Sequence, residues 1–214
     1  MKAPAGLHIR DAKIEGLGPW MWRATDYWGW EHPVREFAGL RALVLEHTPE
    51  KGVLVQAGGL MGMYPRLWAE HFANVYTWEP DPVNFYCLVA NCPEPRIHKL
   101  QAALSNRAGL RAFTEGPEFN AGLGSLNGIS GPVLTMRLDD LTFDRLDCIQ
   151  LDCEGHEDRI IEGGWATIRK HWPVLCLEGP SEALCKTLDE AGYRVAGTHG
   201  TIPDVVFIPE AVLR

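Results

Sequence analysis

An apolar run, Val53-Leu54-Val55-Gln56-Ala57, breaks into Gly58-Gly59-Leu60-Met61-Gly62, and a second apolar run ends on Glu79. Short apolar runs bounded by glycine read as buried strands. A glycine turn after such a strand leaves no side chain between the strand end and the next helix, so a ligand can approach the backbone and the helix N-terminus closely. A carboxylate ending the following strand sits beside the same crevice, where it can accept hydrogen bonds from two ribose hydroxyls. The pattern points to an α/β chain with a nucleotide-type cofactor at the carboxyl ends of its strands.

The remaining periodicity agrees. Val34, Phe37, Leu40, Leu43 and Val44 follow helical spacing over 34–47, which Pro49 and Gly52 end. Further helices are expected at 64–72, 83–91, 157–169 and 182–191, the second opened by Pro80 and Pro82. Strands are expected at 53–57, 75–78, 97–102, 148–152 and 174–178, with accessory strands at 109–114 and 133–138. Two closing β-rich runs, 193–196 and 205–208, read as a hairpin at a sheet edge. Strands alternating with helices imply a mostly parallel sheet covered on both faces. Residues 116–131 hold five glycines and read as a surface loop or a substrate-facing flap.

At 214 residues the chain is expected to form one domain, with residues 1–50 a tryptophan-rich helical segment of it. Trp20, Trp22, Trp28 and Trp30 either anchor that segment to the core or form a lid over a ligand. A net charge of −8 argues against a broad phosphate-binding surface, so no nucleic-acid partner is expected. No apolar run of about 18 residues and no apolar leader are present, which reads as a soluble, cytoplasmic protein without a membrane partner. The six cysteines form no C-x-x-C pair and sit in apolar runs, as buried thiols do.

Spacing within the turn separates two cofactors. The order is G-G-x-x-G rather than the G-x-G-x-x-G of dinucleotide folds, which fits S-adenosylmethionine better than NAD. Four segments, in order, then resemble the FkbM-type S-adenosylmethionine-dependent methyltransferases: the glycine turn; Trp78-Glu79-Pro80-Asp81-Pro82-Val83-Asn84; Gln101-Ala102-Ala103-Leu104-Ser105; and Met136-Arg137-Leu138-Asp139-Asp140-Leu141 leading to Ile149-Gln150-Leu151-Asp152-Cys153-Glu154-Gly155-His156-Glu157. The E-P-x-P-x-N and D-x-E-G-x-E elements are distinctive and the glycine turn is generic.

The resemblance implies a Rossmann-like, seven-stranded class I methyltransferase sheet with helices on both faces and an antiparallel C-terminal hairpin, over residues 51–214. It places Gly58, Gly59 and Gly62 along the methionine part of the cofactor, Glu79 on the ribose and Gln101 with Ala102 beside the adenine. Gln56, Pro80 and Asn84 fall in the same cofactor-binding elements. The Gln101 amide can also donate to and accept from an adenine edge. The family usually has an acidic residue at the position of Gln56 and an Asn at that of Leu60. Gln56 hydrogen-bonds without offsetting a positive charge, which leaves a non-catalytic binding or scaffold protein as the rival to an enzyme.

For catalysis the candidates are Asp152, Glu154 and His156. Methyl transfer from a sulfonium requires acceptor, methyl and sulfur to be aligned, and a hydroxyl acceptor must also lose a proton to a carboxylate or imidazole. His156 titrates near neutral pH, or is a partly exposed helix histidine. The three side chains are alternatively ligands of a divalent cation. Glu157 reads as a helix-start cap, and Asp139 and Asp140 either orient substrate or cap a turn. The expected activity is O-methylation of a small molecule or sugar.

Overall fold

A computed structural model of the protein describes residues 3–11 and 18–210. The chain opens on a hairpin of β1 (Leu7–Asp11) and β2 (Pro19–Arg23), then α1 (Trp28–His47). β3 (Val53–Ala57), α2 (Met63–Trp68), β4 (Asn74–Trp78), α3 (Pro82–Asn91) and β5 (Ile97–Leu100) follow. Next come β6 (Ala103–Leu104), β7 (Gly109–Thr114) and β8 (Ser125–Met136), which form a separate sheet in the order β6-β8-β7. The chain ends with β9 (Cys148–Leu151), α4 (Glu157–Gly163), α5 (Trp165–His171), β10 (Val174–Glu178), α6 (Glu182–Ala191), β11 (Tyr193–His199) and β12 (Asp204–Pro209).

The main sheet has seven strands in the order β11-β12-β10-β9-β3-β4-β5. β10, β9, β3, β4 and β5 are parallel, and β12 runs antiparallel between β10 and β11. This is the expected mixed sheet with its terminal hairpin. Side chains alternate between two cores, as the pleat dictates. Leu54, Cys148 and Cys176 pack with Phe37, Leu40 and Trp68 on one face; Val55, Ile149 and Leu175 pack with Ile160, Ile168 and Leu188 on the other. The order reverses about β3, so the crevice at the carboxyl ends opens beside the glycine turn.

Three expectations are corrected. The helical start gives way to the β1–β2 hairpin, because Trp20 and Trp22 alternate along a strand and are both fully buried. Those two are anchors; the side chains of Trp28 and Trp30 lie outside the described residues. Asn91 sutures the hairpin in place, accepting from the Met21 N–H at 2.7 Å and donating to the carbonyls of Met21 and Met61 at 2.8 and 2.7 Å.

The helix expected over 157–169 is two helices broken at Gly163 and Gly164. A Cβ at Gly163 would stand 2.2 Å from the Ser105 carbonyl oxygen, so glycine is what lets the turn pack there. Asp139 caps the second of these helices, accepting from Thr167 N–H at 2.8 Å and Ala166 N–H at 3.2 Å. The strand expected over 97–102 ends at Leu100, where Ala102 N–H turns back onto the Leu100 carbonyl at 3.0 Å. No helix among the described residues is long and apolar enough to cross a membrane.

Candidate active site

A cavity of about 380 Å³ opens at the carboxyl ends of β3, β4, β9 and β10. Gly58, Gly59, Glu79, Pro80, Asn84, Asp152, Glu154 and His156 all line it, so the glycine turn, the E-P-x-P-x-N element and the D-x-E-G-x-E element converge on one space. Its volume lies within the range of small-ligand sites. Residues 120–126 close it from above, which makes the glycine-rich loop a cavity-facing flap; its later part, from Ser125, is strand β8.

The turn is rigidly specified. Gly58 has φ +85°, and a Cβ there would meet the Asp152 carbonyl oxygen at 1.8 Å. Gly59 N–H donates to Trp78 O at 2.9 Å and Gly62 N–H to Gly59 O at 2.8 Å. Leu60 takes φ +44°, a left-handed conformation that Asn tolerates better than Leu. An Asn at this position, as in the resembled family, has a backbone reason.

Glu79 is buried and holds the turn. Its Oε2 accepts from Leu60 N–H at 2.7 Å and its Oε1 from Asp81 N–H at 2.8 Å. Burial pushes its pKa up to about 8 against the opposing pull of those donors. The Asn84 side chain adds a hydrogen bond to the same carboxyl, and the acceptor capacity left over faces the cavity. Asp81 caps α3, accepting from Val83 and Asn84 N–H at 2.8 and 2.9 Å, and pairs with Arg23 of the hairpin. Arg23 also donates to Asn84 Oδ1 at 2.8 Å, and Asn84 donates to Ala121 O of the flap at 3.3 Å.

Four expected site residues stand elsewhere. Gln56 is fully buried inside the sheet, where its Oε1 accepts from the Thr77 hydroxyl at 2.5 Å and its amide donates to Ala57 O and Gly58 O. It shapes the turn without reaching the cavity. Gly62 packs against Cys92 of the α3 end rather than on the cavity. Gln101 is exposed and Ala102 is buried off the wall, because the turn after β5 carries them past it. Ala103 and Leu104, with Phe113, Leu126 and Ile160, form an apolar wall instead.

The opposite wall is acidic. Asp152, Glu154 and Glu178 each bring a carboxylate oxygen within 4.8 Å of the other two. Glu178 was not anticipated, although it ends an apolar run as Glu79 does. Burial first, then the charge and hydrogen bond of Glu178, pushes the Asp152 pKa far above the usual carboxylate range. Burial and Glu178 push Glu154 to about 7, and Asp204, paired in register with Glu178, is also pushed to about 7, chiefly by burial. Among the described residues no Lys or Arg lines the cavity.

His156 sits on the same wall with Nε2 3.0 Å from the Ser105 hydroxyl. Burial, then Arg159 and Arg111, lowers its pKa, which keeps the ring neutral and able to accept a proton. Glu157 points away and accepts from Cys153 N–H at 2.7 Å, a structural cap. Asp140 pairs with Arg137 at the surface at 2.5 Å.

No protein-family model and no curated protein sequence matches the chain. Solved structures do. The methyltransferase FkbM of Methylobacillus flagellatus superposes with a TM-score of 0.54 at 17% identity, over 74% of this chain and 43% of that one. Magnesium protoporphyrin IX methyltransferase of Synechocystis, solved with bound SAM, gives 0.50 at 12% identity over 81% and 77%. A ribosomal protein methylase of Lactobacillus delbrueckii gives 0.50 at 9% identity over 79% and 75%. The chain therefore spans under half the length of the FkbM structure. These likenesses establish the Rossmann-like methyltransferase fold.

Proposed function

We propose that the protein binds S-adenosylmethionine across the carboxyl edge of the sheet and transfers its methyl group to a hydroxyl of a small molecule or sugar. The observation that carries this is the single cavity joining Gly58, Gly59 and Glu79 to Asp152, Glu154 and His156. The bound cofactor would supply the activated methyl group.

The cavity suits that ligand piece by piece. The side-chain-free turn leaves backbone open to the methionine part, and the acceptor capacity left on Glu79 suits a ribose diol. Ala103, Leu104 and Ile160 offer an apolar wall for the adenine, in place of Gln101 and Ala102. The acidic wall suits a cofactor bearing sulfonium and ammonium charge.

Neutral His156 is the group poised to accept the acceptor's proton, and Asp152, whose pKa is raised, is a second base once its own proton has left. Gln56, the residue that favoured a non-catalytic scaffold, is spent on holding the turn, so its lack of charge does not count against cofactor binding. The acidic lining and the net charge of −8 disfavour phosphate-rich acceptors such as nucleic acid.

Titration calorimetry with S-adenosylmethionine and S-adenosylhomocysteine tests the reading. Saturable binding of both is expected. No binding of either at about 1 mM, well above ordinary enzyme affinities, would sink it.

A further inference from the structure

We propose that Asp152, Glu154 and Glu178 hold a divalent cation of the Mg²⁺, Mn²⁺ or Ca²⁺ class at the edge of this cavity. The proposal deepens the methyltransferase reading and rests on it only for what the cation would do.

Geometry comes first. One oxygen from each carboxylate lies within 4.8 Å of the others. Oxygens sharing one such ion at about 2.0–2.6 Å are separated by no more than about 5 Å, so the three fit a common centre. The donors are all hard oxygen, which selects these ions over thiolate-seeking metals. They arrive from two neighbouring strands: Leu151 pairs with Leu177, which sets Asp152 and Glu178 side by side, and Glu154 follows on the loop.

Charge is the second argument. Three carboxylates converge in a cavity whose described lining holds no Lys or Arg. Nothing charged on that lining repels a cation, and three carboxylates attract one.

Two neutral groups point the same way. Tyr64 is 6% exposed, lines the cavity, and its hydroxyl has no hydrogen-bond partner among the described residues. It lies within electrostatic reach of Asp152, Asp204 and Glu178. Gln150 is fully buried with neither amide atom partnered among the described residues. It stands two residues before Asp152 on β9, hence on the same face of the sheet. Buried polar atoms without partners are exceptions that require an ion or water. Gln150 is such an exception and precedes Asp152 on its strand, and Tyr64 lines the same cavity as the triad. His156, expected among the ligands, is instead bonded to Ser105 and drops out of the set.

Such an ion would hold an acceptor hydroxyl on the acidic wall and ease loss of its proton. An ammonium group of the acceptor is the competing occupant.

The test is Mn²⁺ titration of the chelator-stripped full chain, followed by electron paramagnetic resonance of free Mn²⁺, for the wild type, Glu178→Gln and Glu154→Gln. One Mn²⁺ per chain is expected, displaced by Mg²⁺, with affinity lowered roughly tenfold or more in each variant. Glu154 lines the cavity from a loop and keeps much of its surface in solvent, so Glu154→Gln keeps the fold even where Glu178→Gln does not.

No bound Mn²⁺ at about 1 mM, or equal binding in wild type and Glu154→Gln, overturns the proposal. Calorimetry with S-adenosylhomocysteine on the same stripped protein separates the two claims. Cofactor binding without Mn²⁺ binding removes the cation and leaves the methyltransferase reading, and Mn²⁺ binding without cofactor binding does the reverse.

Discussion

Glu79 follows β4 and Asp152 follows β9, the two strands that flank β3, yet the two carboxylates live in opposite surroundings. Glu79 has a backbone donor on each oxygen, and its neighbours Asp81 and Asn84 are tied to Arg23. Asp152 faces Glu154 and Glu178 with no described cation on the cavity wall. The first side is complete before a ligand arrives and suits neutral hydrogen-bonding groups. The second gathers carboxyls that burial and mutual charge hold toward their protonated forms, so a positively charged occupant would favour their ionisation. One cavity thus divides into a half with its hydrogen bonds already made and a half whose charge depends on what occupies it.

The widest separation should appear with Asp152→Asn. Methyl transfer to an acceptor found by screening hydroxyl compounds is expected to fall roughly 10²–10⁴-fold while S-adenosylhomocysteine affinity stays within a few-fold. An equal loss of affinity would show that the halves do not divide the labour.

Gly58→Ala attacks their junction, since its Cβ would meet the Asp152 backbone at 1.8 Å with φ at +85°. Urea unfolding should show a loss of about 3 kcal/mol or more, and a near-neutral result would mean the turn is not held against β9. Glu79→Ala tests the preformed half alone. S-adenosylhomocysteine affinity should drop roughly 10–100-fold through lost charged hydrogen bonds, and unchanged affinity would mean the ribose lies elsewhere.

Smaller effects sharpen the contrast. Leu60→Asn relieves a left-handed residue on the binding half and should raise stability by about 1 kcal/mol in thermal melts, with cofactor affinity kept.

The pH response of Glu79 is the last. Its folded pKa, about 8, lies above the ordinary value of 4.5, so its contribution is fully present below about pH 4.5 and is lost as pH rises toward 8. Ligand-free wild type should lose stability over that window more steeply than Glu79→Gln. Parallel denaturation curves across the window would show that Glu79 is not the cause.

Much of this was legible in the chain because it is local. The glycine turn, the carboxylates that close apolar runs and the alternation of strands with helices all depend on neighbours within a few residues. Glu178 had the same signal as Glu79, an acid ending a buried run before Gly179-Pro180, and it gained meaning only beside Asp152. Gln101 and Ala102 were misplaced by two residues because the tight turn after β5 cannot be read from strand propensity. The hairpin at Trp20 and Trp22 was misread because a tryptophan-rich segment fits either a helix or a strand until it docks on α3.

That a strand, a glycine turn and an acid would line one crevice follows from neighbours along the chain, because φ freedom and apolar burial act residue by residue. Which acids face one another is set by the packing of the sheet. Asp152 and Glu178 meet because β10 docks beside β9, a choice made by whole-sheet packing rather than by any residue near either carboxylate.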